Sequence, residues 1–91
     1  MRMRKKPNLI PRMERCARFL IREPSSYRGH WRQLKPDAKE IRLEIGCGKG
    51  RFSAETAQRN PDVLYIALER VPDAMVIAME RSMEKGLDNI L

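Results

Sequence analysis

The sequence has few of the residues that mark membrane, disulfide-bonded and metal-binding proteins. Its apolar runs fall far short of the roughly 18 to 20 residues that span a bilayer, and no signal-like apolar stretch follows the basic start. Two cysteines, Cys16 and Cys47, are too few for a disulfide framework or a cysteine-ligated metal site. The single histidine, His30, excludes catalysis by a pair of histidines. We therefore expect a cytoplasmic protein with no membrane and no metal among its partners.

Positive charge is concentrated in the first part of the chain. Residues 1–40 hold twelve of the nineteen basic residues and four of the twelve acidic ones, a net charge of +8. Residues 41–91 hold seven basic and eight acidic residues, a net charge of −1. A basic arm of this kind neutralises phosphates and releases counterions, which gives salt-sensitive affinity for nucleic acid. The alternative is a solvated or targeting segment. The densest basic cluster consists of Arg2, Arg4, Lys5 and Lys6.

Three alternating glycines follow directly on a short apolar strand predicted over 41–45. A dinucleotide-binding turn of the G-x-G-x-x-G type needs its third glycine where this chain has Arg51. Glu44 stands two residues before the first glycine, at the end of the strand, where a carboxylate can meet an ammonium group. The pattern therefore favours a ligand with positive charge over one with phosphates. A tight turn without a ligand is the alternative.

A second acid, Glu69, ends the next apolar run, which is predicted to be a strand over 63–68. An uninterrupted apolar run is typical of a strand buried on both faces in a parallel sheet. Ligands bind at the carboxyl ends of such strands, where a carboxylate offers two acceptor oxygens to a ribose diol. The alternative is an acid that stabilises the start of the next helix through the helix dipole.

Helix signals complete an α/β pattern. A helix is expected over 51–59, because Pro61 cannot continue it. A second is expected from Pro72 to a stop at Gly86, and a short third helix is expected over 12–22.

This pattern divides the chain into a basic N-terminal arm, 1–40, and the first half of an α/β domain, 41–91. The last three residues resemble the opening of a third strand. Because a two-stranded parallel sheet has little core of its own, we expect this chain to be one part of a larger domain.

Four parts of the sequence carry a resemblance to a known family. They are the glycine-rich run 44–52 with the strand end 67–70, the basic start 1–7, the segment 27–31, and the segment 86–89. Together they resemble the first half of the S-adenosylmethionine-dependent methyltransferase fold and, more narrowly, the bacterial tRNA (guanine-N7)-methyltransferase family. The resemblance covers essentially the whole chain.

The resemblance implies a Rossmann-like fold truncated after its first two β-α units, with S-adenosylmethionine as cofactor and tRNA as partner. The implied activity is methyl transfer to N7 of a guanine. Glycine backbone would approach the methionine part of the cofactor with Glu44 nearby, while Glu69 would hold the ribose with Arg70 beside it. The family's catalytic residue follows a later strand, so we expect no catalytic residue within this chain. The implied cofactor-binding residues are Glu44, Gly46, Gly48, Gly50, Glu69 and Arg70, and the implied RNA-binding residues are Arg2, Arg4, Lys5 and Lys6.

Other functions stay open at this point. A methyltransferase of the same fold could act on a small molecule or a protein, in which case the basic arm would be incidental. The chain could instead be a non-catalytic RNA-binding piece. An oxidoreductase is disfavoured, because Arg51 occupies the position of the glycine that opens the helix in dinucleotide-binding proteins.

Overall fold

A pair of parallel strands forms the centre of the fold in the computed structural model, which describes residues 8–91. Strand β1 spans Glu40–Ile45 and strand β2 spans Val63–Leu68. In their register, Glu40 pairs with Val63 at the start of the strands, and Ile45 pairs with Leu68 at the end. The carboxyl ends of both strands therefore lie side by side, which brings the residues that follow them to one edge of the sheet.

The chain end lies beside β2 on the side away from β1. Ile90 forms an isolated parallel bridge with Tyr65. The Tyr65 amide donates to the Asn89 carbonyl at 2.7 Å, and the Leu91 amide donates to the Tyr65 carbonyl at 2.9 Å. This is the start of strand-like pairing that the sequence predicted for the last three residues. The parallel sheet and its helices confirm the predicted α/β class.

Two helices follow the strands at the predicted positions. Helix α2 spans Arg51–Arg59 and ends before Pro61, whose ring and missing amide hydrogen prevent continuation. Helix α3 spans Pro72–Glu84 and has its proline in the first turn, where the absent amide hydrogen costs no helical hydrogen bond. Both predicted strands and both of these helices are therefore confirmed, with β1 beginning one residue earlier than expected.

The two strands differ in burial. Residues Val63 to Ile66 of β2 are all buried, with at most 6% of each residue exposed. In β1, by contrast, Leu43 is 61% exposed and Ile45 is 79% exposed. Strand β2 is thus the buried centre of the described fold, and β1 is its edge.

Two apolar clusters hold these elements together, one on each face of the sheet. The smaller consists of Ala38, Leu64 and Ile66, with Trp31, Leu34 and Leu91 packed against it. The larger joins α2, β2, α3 and the N-terminal segment, and it contains Cys16, Phe19, Ala54, Ala57, Val63, Tyr65, Met79, Leu87 and Ile90.

The N-terminal segment corrects one prediction. The helix expected over 12–22 is wrong in its bounds, because helix α1 spans Leu9–Arg15 and is followed by short 3-10 turns. Pro11 does not end this helix, since it lies in the first turn, where amide groups lack intrahelical partners in any case. The 3-10 turns span Ala17–Phe19, Pro24–Tyr27 and Trp31–Leu34.

A bidentate ion pair joins helix α1 to helix α3. The Arg12 guanidinium donates to both oxygens of the Glu80 carboxylate, at 2.5 and 2.9 Å. This hydrogen bonding lowers the pKa of Glu80 below its usual value. Arg18 adds a hydrogen bond of 3.1 Å to the Leu87 carbonyl. The N-terminal segment is therefore attached to the α/β part by charged contacts as well as by the buried Cys16 and Phe19.

One glycine is required by the packing of α2 on α3. Gly50, which precedes α2, has a φ of +75°, and a Cβ added to it would lie 2.4 Å from the Ala78 Cβ and 2.8 Å from the Ala78 Cα. Gly48 also has a positive φ, +59°, yet no atom lies within 4 Å of the corresponding position. The two glycines thus separate the effect of close packing from that of backbone conformation.

We expect Gly50→Ala to lower the free energy of unfolding by roughly 3 kcal/mol, because left-handed strain is added to overpacking. Gly48→Ala is the matched control and should cost only about 1 to 2 kcal/mol from its conformation. Urea unfolding of both variants measures the difference. Equal losses would contradict the close contact between Gly50 and Ala78.

Candidate functional site

The glycine turn, residues 46–50, lies at the carboxyl edge of the sheet between β1 and α2. The amides of Gly46 and Cys47 both donate to the Leu68 carbonyl at 2.9 Å. The Gly50 amide donates to the Cys47 carbonyl at 3.0 Å. The turn is therefore fixed directly to the end of β2, as expected when two parallel strands end at the same edge.

Glu69 connects this turn to the start of α3. One carboxylate oxygen accepts the Gly48 amide at 2.8 Å, and the other accepts the Val71 amide at 3.1 Å. These two bonds lower the pKa of Glu69, the Gly48 bond more strongly. The sequence offered two interpretations of Glu69, and the contact with the Val71 amide agrees with the second, an acid near the start of the next helix. The sequence did not predict the hydrogen bond from Gly48. The ribose-binding role of Glu69 stays a prediction.

Glu44 approaches the turn from the other side. It is the penultimate residue of β1, and its carboxylate accepts a hydrogen bond from the hydroxyl of Ser53 in α2. Neither Ser53 nor this bond was identified from the sequence. The sequence indicates this contact only weakly, through a serine in the first turn of a predicted helix that follows the glycine turn.

The charges of Glu44 and Glu69 both act on the thiol of Cys47, which lies in the glycine turn. Burial raises the pKa of the Cys47 thiol to about 11, and the charges of Glu44 and Glu69 contribute in the same direction. A thiol with this pKa is protonated at neutral pH, so Cys47 is poorly suited to act as a nucleophile. Two carboxylates beside the turn favour a cationic ligand group over a phosphate.

A cavity of about 500 Å³ opens beside the turn and is lined by Ile45, Gly46, Leu68, Glu69 and Arg70. Its volume lies within the usual range of small-molecule sites. The apolar walls come from the last residue of each strand, and the polar groups come from the residues that follow. The structure thus places three of the predicted cofactor-binding residues, Gly46, Glu69 and Arg70, around one cavity.

The other predicted residues have different surroundings. Gly48 touches this site through its bond to Glu69, and no atom lies within 4 Å of the position that a Cβ would take there or at Gly46. Gly50 faces Ala78 in the interior instead. Arg2, Arg4, Lys5 and Lys6 lie outside the described residues.

Arg81 is a further residue that the sequence did not reveal. Its Nε donates to the Lys49 carbonyl at 3.1 Å and so joins α3 to the glycine turn. Thirty-two positions separate the two residues, so no local pattern indicates the contact.

Within the described residues 8–91, no group of three or more His, Cys, Asp or Glu side chains is arranged to hold a metal ion. In the same part of the chain, no helix has the length and apolar character required to cross a membrane.

Comparison with known proteins identifies the family. A family model described as "Putative methyltransferase" matches residues 38–91, which contain both strands, the glycine turn and the cavity. The chain belongs to this methyltransferase family. The broader part of the predicted resemblance is thereby confirmed.

Curated relatives of this methyltransferase chain bear out the narrower resemblance as well. Each of the following is named tRNA (guanine-N(7)-)-methyltransferase. The protein from Bacillus cytotoxicus is 38% identical over 90 residues, which cover 99% of this chain and 42% of the relative. That from Clostridium beijerinckii is 43% identical over 88 residues, covering 97% and 39%. That from Acetivibrio thermocellus is 46% identical over 69 residues, covering 76% and 31%. The chain spans about two fifths or less of the length of these relatives.

The burial of the Cys47 thiol, together with the nearby charges of Glu44 and Glu69, predicts slow thiol chemistry. With the pKa of Cys47 at about 11 instead of 9.0, its alkylation by iodoacetamide at pH 8 should be about 100-fold slower than in the unfolded chain. The rate should rise about tenfold per pH unit until the pH approaches this pKa. Peptide mass spectrometry separates Cys47 from Cys16, and the same protein in urea is the control. An alkylation rate equal to that in urea would contradict the prediction.

Proposed function

We propose that the longer protein containing this chain transfers the methyl group of S-adenosylmethionine to N7 of a guanine in tRNA. The observation on which this rests is the glycine turn flanked by two carboxylates, Glu44 and Glu69, in a chain that belongs to a methyltransferase family. The names of the relatives support the choice of tRNA and of the N7 position.

The residues at the turn fit this cofactor. S-adenosylmethionine carries positive charge on its sulfonium and ammonium groups, and the two carboxylates give the site the complementary sign. Glu44 would meet the ammonium group, and Glu69 would accept from the ribose hydroxyls with Arg70 beside it. Gly46 and Gly48 leave open the space that side chains would fill. The apolar ends of both strands, Ile45 and Leu68, would line the cavity beside the ligand.

The chemistry requires little acid-base assistance from the protein. When bound, the cofactor would supply an activated methyl group, whose transfer to the guanine N7 lone pair would return the methyl–sulfur electron pair to sulfur. The share of this chain is to bind and orient the methyl donor, since correct alignment of two reactants supplies a large part of such an acceleration. We assign no catalytic residue to it.

We further propose that residues 41–91 form the first half of a Rossmann-like methyltransferase domain and that residues 1–40 form a basic arm. The parallel order of β1 and β2 and the strand-like pairing of Ile90 support this. The exposed apolar residues Leu43 and Ile45 on β1 also support it, because further elements of the domain would cover them.

The proposed RNA-binding arm includes arginines with two kinds of surroundings. Arg12, Arg18 and Arg32 are engaged within the fold, by Glu80, the Leu87 carbonyl and the Ala38 carbonyl respectively. The side chains of Arg22 and Arg28 are exposed and form no hydrogen bond or salt bridge within residues 8–91. We propose that Arg22 and Arg28 extend the phosphate-binding surface of Arg2, Arg4, Lys5 and Lys6.

Transfer of labelled methyl from S-adenosylmethionine to unmodified bulk tRNA tests the activity. The longer protein should label tRNA, and chemical strand scission at N7-methylguanine should map the label to one guanine. The 91-residue chain alone serves as the control and should transfer none. Labelling of a small molecule or a protein, with none in tRNA, would contradict the proposed substrate while leaving the cofactor site in place.

The arm and the cofactor site should be separable by mutation. Deletion of residues 2–6 should weaken tRNA binding and reduce the slope of log affinity against log salt by about 3, because four basic residues are lost. Glu69→Ala should do the reverse and weaken cofactor binding more than tRNA binding. Salt titrations of tRNA affinity and calorimetric cofactor titrations measure the two effects. An unchanged salt slope after the deletion would count against the arm.

A further inference from the structure

Two buried serines in the helices use their hydroxyl groups differently. Ser82 in α3 is 3% exposed and donates to the Ala78 carbonyl four residues earlier, at 3.1 Å. That is a common bond for a serine inside a helix. Ser53 in α2 is 1% exposed, and its hydroxyl donates instead to the Glu44 carboxylate in β1.

The surroundings of Ser53 account for this difference. The carbonyl four residues before Ser53 belongs to Lys49, which lies in the glycine turn and accepts from Arg81 Nε at 3.1 Å. A carboxylate is in general a stronger hydrogen-bond acceptor than a backbone carbonyl. The Ser53 hydroxyl therefore joins the first turn of α2 to the end of β1.

This bond leaves Glu44 available to a ligand. A carboxylate has about four acceptor positions, and Ser53 occupies one of them. Within residues 8–91, no other hydrogen bond or salt bridge to the Glu44 carboxylate is found. The second oxygen is thus free, while the side chain as a whole is held by a buried partner.

We infer that Ser53 is a positioning residue, which holds Glu44 so that its free oxygen meets the ammonium group of the cofactor. The inference rests on the proposed function. A glutamate that is already ordered loses little side-chain freedom when a ligand binds. Without Ser53, the Glu44 side chain has to become ordered when the ligand binds. The entropy lost in that step weakens binding through the ammonium group.

A pair of ligands tests this role in the longer protein. S-adenosylhomocysteine has the ammonium group, whereas 5′-methylthioadenosine has the same nucleoside without the amino-acid part. Ser53→Ala should weaken the binding of S-adenosylhomocysteine about fivefold to tenfold. The affinity for 5′-methylthioadenosine should stay within about twofold of that of the unaltered protein. Calorimetric titration measures both constants. Equal weakening of both ligands would overturn the inference, because a general disturbance of the fold acts on both.

Two further variants complete the experiment. Ser82→Ala removes an equally buried serine hydroxyl from α3 and should change neither affinity. In a Glu44→Ala background, Ser53→Ala should add no further loss, since the two residues act on the same ligand group. Additive losses would overturn the positioning role. If the unaltered protein bound neither ligand, the proposed cofactor site itself would be wrong, which is distinct from a failure of Ser53 alone.

Discussion

The arrangement of the site depends on the two hydrogen bonds that the carboxylate of Glu69 accepts. It stands at the end of β2 and accepts one amide from the glycine turn after β1 and another from the start of α3. Its lowered pKa keeps it ionised, so both bonds are charge-assisted. Three separate backbone segments are thereby held at one point. The bonds from Gly46 and Cys47 to the Leu68 carbonyl fix the same turn from the strand side.

The proposed function combines a glycine turn flanked by two carboxylates with a basic arm of opposite charge. The arm is partly integrated into the fold, because Cys16 and Phe19 belong to the larger apolar cluster and Arg12 pairs with Glu80. The side chains of Arg22 and Arg28 form no such contacts within residues 8–91. In the proposed function, this division allows one segment both to cover the core and to offer positive charge to RNA near the methyl donor.

Local signals in the sequence were sufficient for most elements and for the sheet edge at which the glycine turn and Glu69 lie. Pro61, Pro72 and the apolar run of β2 fix their boundaries within a few residues, and parallel strands bring Glu69 to the glycine turn. The helix expected over 12–22 is wrong in its bounds because Pro11, which lies in the first turn of α1, does not prevent the helix from beginning at Leu9. The roles of Ser53 and Gly50 depend on contacts across the fold, which spacing along the chain does not reveal. The individual cofactor-binding and RNA-binding assignments stay predictions.

The long separation between Arg12 and Glu80, 68 positions, has a consequence for synthesis. A ribosome adds residues from the amino terminus at about 5 to 20 per second, so α1 is complete several seconds before its partner helix exists. During this interval the α1 surface that faces α3 in the finished fold has no binding surface within the protein. The ion pair between Arg12 and Glu80 therefore cannot form until the residues of α3 have been synthesised.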